Sequence, residues 1–382
     1  MSLFTSSIPA PARPASVALL RALSLLLAAG VALATLWPLE FNARSGSPLG
    51  FVQAGWPRYW TGFDVLSNLL AYVALAAVFC RAWLVGLAPL AALVLTALAA
   101  GALSLGLEAA QTYLPSRVPS LLDWLANFVG GLIGAMLGTL WASAARRRAR
   151  WVYPGADHWL EEGPATGWML LLIWLAAQAV PQRLTFGTGR IEPVLQRLID
   201  RLQLPGAPDL SLLMDRLWGA ARAPTGYGMA VEAGTTICAL CGVGVIALAL
   251  VHDPLRRRLL LGAIVLLAFG LRTLAAQPVY GSATPWVWLS PGAQGGLIVG
   301  AVLLYGIAAL GARTRAGIGL MVTVIGLVLV NVVPEDPYFE SMATGLRAGA
   351  LANLLGALQV LSMIWPVLAG VWFWRRAAGR RA

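Results

Sequence analysis

The chain has 382 residues, 59% of them hydrophobic and only 11% charged, with a formal net charge of +11. That balance excludes a soluble globule, because several windows of about 18 or more residues run almost without charge. It also argues against nucleic acid as the partner of the positive charge: all 27 basic residues are arginines set in short clusters between apolar spans, the positive-inside pattern of a polytopic membrane protein in contact with a lipid bilayer.

The expected fold class is an all-α transmembrane helical bundle. Hydropathy predicts ten spans, at about 17–37, 63–80, 87–107, 121–142, 167–182, 229–251, 259–276, 293–311, 316–333 and 353–374. The first reads as a true span and not a signal peptide, since it has no small-residue cleavage site and runs into Trp37-Pro38-Leu39-Glu40. The fifth is the weakest, being short and flanked by Glu161, Glu162 and Arg183.

Dealing the loops alternately to the two sides puts sixteen arginines together, including Arg146-Arg147-Arg148, Arg256-Arg257-Arg258 and Arg375-Arg376. Six of the other eleven fall in the single long loop 183–228, and long loops count for less in the rule. Both termini are therefore expected in the cytoplasm, which requires an even number of spans.

Three regions are expected: a four-span membrane domain over 1–150; a segment 151–228 holding a cytoplasmic loop, the short fifth span and an outer loop; and a second membrane domain over 229–382. In the outer loop, Ile191, Val194, Leu195, Leu198 and Leu202 recur at helical spacing opposite Arg197, Asp200 and Arg201, as in a helix lying on the membrane surface.

The polar residues of the first half gather at the outer ends of three spans. Asp64 and Asn68 open the second, Glu108 and Gln111 close the third, Arg117 lies in the short loop that follows, and Asp123 and Asn127 open the fourth. Residues three or four apart share a helix face, so each pair points one way. Asp-x-x-x-Asn thus occurs twice, each time where the chain re-enters the membrane from outside, and this reads as two related hairpins facing one another.

Thr61-x-x-Asp64 and Ser120-x-x-Asp123 are also capping-box patterns, and capping alone accounts for both aspartates. It does not reach Asn68 and Asn127, one turn or about 6 Å deeper, where an amide needs partners. Interhelical hydrogen bonding is the plain account of those two. Glu108 must be paired, neutral or wet at the end of an apolar span, and Arg117 is the nearest counter-ion in sequence. A guanidinium there serves equally as a structural partner or as a two-pronged grip on a carboxylate or phosphate. Behind Asn127, Gly130, Gly131, Gly134 and Gly138 follow, and Gly130, Gly134 and Gly138 at four-residue spacing form a smooth stripe for close helix packing.

The run Asp64-Val65-Leu66-Ser67-Asn68, Leu107-Glu108-Ala109-Ala110-Gln111, Arg117, Asp123-x-x-x-Asn127-x-x-Gly130 and Gly134, in that order, resembles the VanZ-like family over about residues 31–142. The family takes its name from a protein associated with teicoplanin resistance. The resemblance implies a multi-pass protein of the bacterial cytoplasmic membrane with a role in the cell envelope and antibiotic resistance. It supplies no settled reaction, and family members often stop after four or five spans.

Elsewhere the sequence is less informative. Cys80, Cys238 and Cys241 lie in or beside apolar spans; Cys238-x-x-Cys241 lacks companion ligands, since His158 and His252 sit in separate hydrophilic loops, so no metal or cofactor is expected. Glu232 and Arg272 are expected to pair or to snorkel. Asn331-x-x-Pro334-Glu335-Asp336, with Asn353 beyond it, echoes the first half weakly.

Three functions fit the outer polar cluster. It is a binding or shielding site for a glycopeptide or lipid-linked envelope ligand, the site of a membrane enzyme whose carboxylates act as general base or magnesium ligands, or part of a transporter or flippase. The gathering of polar groups at one surface, not at the bilayer midplane, favours the first over the third. The sequence leaves the oligomeric state open.

Overall fold

The computed structural model describes residues 15–37, 39, 41–42, 47–84, 86–149, 165–182, 184–191, 227–251, 253–281, 286–332 and 352–379. Every regular element among them is helical: α1 (Ala15–Leu36), α2 (Gly50–Gln53), α3 (Gly62–Trp83), α4 (Pro89–Gln111), α5 (Leu121–Ala149), α6 (Ala165–Ala177), α7 (Tyr227–Leu248), α8 (Pro254–Tyr280), α9 (Pro291–Ala308), α10 (Ala312–Val332) and α11 (Ala352–Ala377). Nine of these described helices are long and apolar enough to cross a membrane. The protein is a polytopic helical membrane protein. Most of the amphipathic outer loop, together with Glu335 and Asp336, lies outside the described residues, as do the side chains of His158, His252 and Asn353.

Between lipid-facing helices there is little hydrophobic gain in association, so close backbone approach decides which helices pair. The glycine stripe of α5 does this against α3. A Cβ at Gly130 or Gly134 would strike the carbonyl oxygen of Leu69 or Val73, and one at Gly138 would come within 2.8 Å of that of Ala77. Gly131 faces the other way, onto Ala100 of α4. The same device recurs in the second half. Gly292 and Gly296 of α9 set the helix on the carbonyls of Met229 and Ala233 of α7, where a Cβ would lie 2.7 and 2.6 Å from oxygen, and Gly300 continues the stripe toward Ile237.

The largest apolar core lies in the second half, where Trp168 and Trp174 of α6, Ile246 of α7, and Trp365 and Phe373 of α11 are buried together. Helix α1 sits between the halves, packing on α3 on one side and on α6 and α11 on the other.

The expected fifth span is helical over only part of its length. Helix α6 has 13 residues, about 20 Å of rise against a hydrocarbon core of about 30 Å. Non-helical residues 178–182 and 184–191 make up the difference. Gly167 packs on Leu250 at one end of the bundle, and Ile191 reaches Asn331 at the other. Irregular backbone at membrane depth is tolerated only when protein satisfies it, and here protein does. Arg272, 2% exposed, donates to the carbonyls of Val180 and Gln182. Asn331 donates to Gly189 O (2.8 Å) and accepts from Ile191 N (3.1 Å).

Pro366, inside α11, has no amide proton to give the Ser362 carbonyl one turn earlier, and that carbonyl accepts from Gly189 N at 2.9 Å instead. Gly189 has φ +88°, and its missing Cβ leaves room for the Pro366 ring. Phe186 adopts φ 59°, a conformation costly for a bulky side chain, and is held in it by Trp174, Phe269 and Trp288. Arg272 therefore neither snorkels nor donates to Glu232, because the backbone after α6 offers its carbonyls instead. Cys238 and Cys241 are buried free thiols. Cys241 Sγ lies 3.7 Å from Gly300 O, so both act as small residues at helix contacts.

Gly134→Leu is expected to destabilise the bundle by about 3 kcal/mol, since the new side chain meets backbone that cannot yield. Gly106→Leu, where a Cβ meets nothing within 4 Å, is expected to leave stability unchanged. Thermal melting of both variants in detergent, read by size-exclusion chromatography, separates the two outcomes.

Candidate functional site

Helices α3, α4 and α5 bring the predicted polar residues to one end of the bundle, the end that the arginine distribution places outside. They form a wedge that narrows inward: Asp64 is exposed, Asn68 and Asp123 are half-buried, and Asn127 and Glu108 are 5% and 3% exposed.

The two helix starts share a pattern and differ in chemistry. At α3 the capping box closes on itself. Thr61 Oγ1 accepts from Asp64 N at 3.1 Å, and the Thr61 hydroxyl donates to Asp64 Oδ2 at 2.6 Å. At α5 the Ser120 hydroxyl accepts from Leu122 N and Asp123 N, at 3.2 and 3.4 Å. A capping box would send the Asp123 carboxylate back to Ser120 N. Glu108 Oε2 takes that amide instead, at 2.9 Å.

Asp123 is thereby left to a different partner. Asn68 Nδ2, on α3, donates to Asp123 Oδ1 at 3.0 Å across the glycine-packed interface. One turn deeper, Asn127 Nδ2 donates to Ser104 Oγ of α4 at 2.9 Å. The two Asp-x-x-x-Asn segments do face one another, but they are not mirror images: the first asparagine holds the second aspartate, while the second asparagine turns to α4. Asn127 Oδ1 is buried with no hydrogen-bond partner among the described residues, and the buried Tyr72 hydroxyl lies beside the Ser104 hydroxyl. Sequence reasoning missed Tyr72 and Ser104. Both lie one turn from a flagged residue, Asn68 and Glu108 respectively, and periodicity alone would have added them to the same faces.

Arg117 and Gln111 point elsewhere. The Arg117 guanidinium donates from Nε to Trp37 O (3.2 Å) and from Nη2 to Ala34 O and Trp37 O (both 3.1 Å), while Gln111 Nε2 donates to Thr35 O at 3.2 Å. These are the last carbonyls of α1, which no further turn of helix can satisfy. Burial pulls the Arg117 guanidinium down from its ordinary value, and the nearby Glu108 carboxylate opposes the shift. The two charges sense each other, yet each spends its hydrogen bonds on backbone. The expected Glu108–Arg117 pairing is thus a longer-range attraction inside a structural clamp. Trp37, held by that clamp, lays its indole against Gly356 of α11.

Among the described residues, no group of three or more His, Cys, Asp or Glu side chains is placed to hold a metal ion. What the cluster presents outward is acceptor chemistry: two carboxylates at the rim, backed by buried amide and phenol groups.

Arg117→Met removes three hydrogen bonds from a charged donor and is expected to cost about 3 kcal/mol of stability. Arg117→Lys, a single rotatable point charge, is expected to recover only part of it. Melting temperatures in one detergent, ordered wild type, Lys, Met, are the check.

Comparison with known proteins bears on this region alone. Residues 20–142 match the family model described as VanZ/LLP1. The match takes in α1 as well as the three helices of the polar cluster and ends within α5, so the N-terminal region, roughly a third of the chain, is VanZ-like. No curated protein and no solved structure matches the chain.

Proposed function

We propose that this VanZ-like membrane protein resides in a bacterial cytoplasmic membrane and binds or modulates an envelope ligand, a glycopeptide or a lipid-linked precursor, at the cluster around Asn68 and Asp123. The observation that carries this reading is the release of Asp123 from capping. A carboxylate in the first turn of a helix ordinarily has a structural explanation. Here Glu108 supplies the reciprocal cap to Ser120 N, and Asp123 is turned toward Asn68 with one oxygen engaged.

Asp64 and Asp123 stand at the rim, and behind them lies Asn127 Oδ1, a buried polar atom with no partner among the described residues. Arg117, the cation that acts on Glu108, is committed to the carbonyls of α1. The site therefore favours the hydroxyl or ammonium groups of a sugar or amino sugar over a phosphate. Tyr59 and Trp60, exposed and next to the Thr61 cap, offer ring faces to such a ligand. Gln111, Arg117 and Gly130, Gly134 and Gly138 serve this reading by fixing the helices that carry the acceptors.

Asp123→Asn keeps an acceptor for Asn68 and removes the charge. With the protein in nanodiscs and a glycopeptide or a lipid-linked muropeptide as analyte, surface plasmon resonance is expected to show at least tenfold weaker binding of one of them, with melting temperature unchanged. Equal binding by wild type and variant would sink the assignment, as would the absence of binding to both analytes.

A further inference from the structure

Helix α8 stands apart from its neighbours, touching α7 and α6 only lightly, and leaves a groove of about 750 Å³ against α7 and α9. Its walls are hydrocarbon: Leu240, Leu261, Phe269 and Leu304 are typical of them. The polar lining gathers at one end, where Arg257 and Arg258 stand in the first turns of α8 and Tyr305 sits across on α9, 81% exposed. Among the described residues no carboxylate lines the groove. The nearby Asp253 is used as the α8 N-cap, accepting from Arg256 N at 2.8 Å, and Arg257 Nε is anchored to Val251 O at 3.0 Å, which fixes that side chain at the mouth.

Length and position identify the occupant. Along α8 the lining runs from Pro254 to Phe269; inward of the arginines, from Arg258 to Phe269, it covers eleven residues, a rise of about 17 Å, close to half of a hydrocarbon core of about 30 Å. A slot one leaflet deep, apolar along its length and cationic at its interfacial end, fits a phospholipid with its acyl chains between the helices and an anionic headgroup at the arginines. A tyrosine at the same level is the usual interfacial companion. The arginine-rich end is the one the positive-inside pattern assigns to the cytoplasm, where anionic headgroups attract basic side chains.

We infer that the groove between α8 and the α7–α9 pair is a binding site for an anionic phospholipid of the cytoplasmic leaflet, with Arg257 and Arg258 on the headgroup.

The test is native mass spectrometry of the full chain released from nanodiscs of equimolar phosphatidylglycerol and phosphatidylcholine. The wild type is expected to retain phosphatidylglycerol at least fivefold over phosphatidylcholine. The double variant Arg257→Gln/Arg258→Gln is expected to lose that preference. Gly262→Phe fills the groove from α8 at a position where a Cβ meets nothing within 4 Å. It is expected to expel the retained lipid with both arginines intact and the melting temperature unchanged. Equal retention of the two lipids by wild type, or unaltered retention in both variants, overturns the site. So does a wild-type dimer that Gly262→Phe dissociates, for then a second copy of the chain fills the groove.

Discussion

A helix that ends inside a membrane leaves its last carbonyls with nothing to bond, because lipid offers no donors. Much of this molecule is arranged around that debt. Arg117 and Gln111 reach the end of α1, Arg21 donates to Ala82 O at the end of α3 at 3.3 Å, Arg272 reaches the carbonyls beyond the broken α6, and Arg257 bonds Val251 just past α7. Arginine suits the task, since its fork of donors serves two carbonyls at once and its charge complements the negative end of the helix dipole. In a chain with so little charge, many of the ionisable groups that look out of place in the greasy spans are holding backbone.

That principle sorts the polar cluster. Glu108, Gln111 and Arg117 bind backbone groups and so tie α1, α4 and the start of α5 into one unit. Asn68, Asp123 and Asn127 bind side chains or keep unused capacity, and the glycine stripe of α5 brings them together by letting α3 approach to within contact of its backbone. The residues that look most like a site and those that look most like scaffolding differ in what they bond, although they share one end of the bundle.

The class of the protein, most of the span positions and the helix that uses glycine to pack were legible in the sequence, because hydropathy and four-residue spacing are local signals. Boundaries slipped where arginines lower the local hydropathy. The seventh span was expected from residue 259, but α8 starts at Pro254 behind the Asp253 cap, and α10 starts at Ala312 ahead of Arg313 and Arg315. The weakness of the fifth span is visible in its short apolar run, but its resolution is not, since Arg272 and Asn331 find their carbonyls 92 and 142 residues away, with no residue-type pattern to announce the contact. The same applies to Arg117, whose partners are carbonyls and not Glu108, although it is the arginine nearest Glu108 in sequence. Most elusive was the exchange at Ser120: a capping-box pattern was present, and a glutamate from another helix took its place.

The clamp on α1 also sets an order of assembly. Helix α1 precedes the other described helices along the chain, but the guanidinium that completes its end comes 80 residues after Trp37, and the α11 glycine that receives the Trp37 ring comes later still. Until the hairpin carrying Gln111 and Arg117 has formed, the last carbonyls of α1 lack the donors that hold them in the folded protein. A helix early in the chain is thus completed by residues that come well after it, and its packing joins the VanZ-like region to the second half.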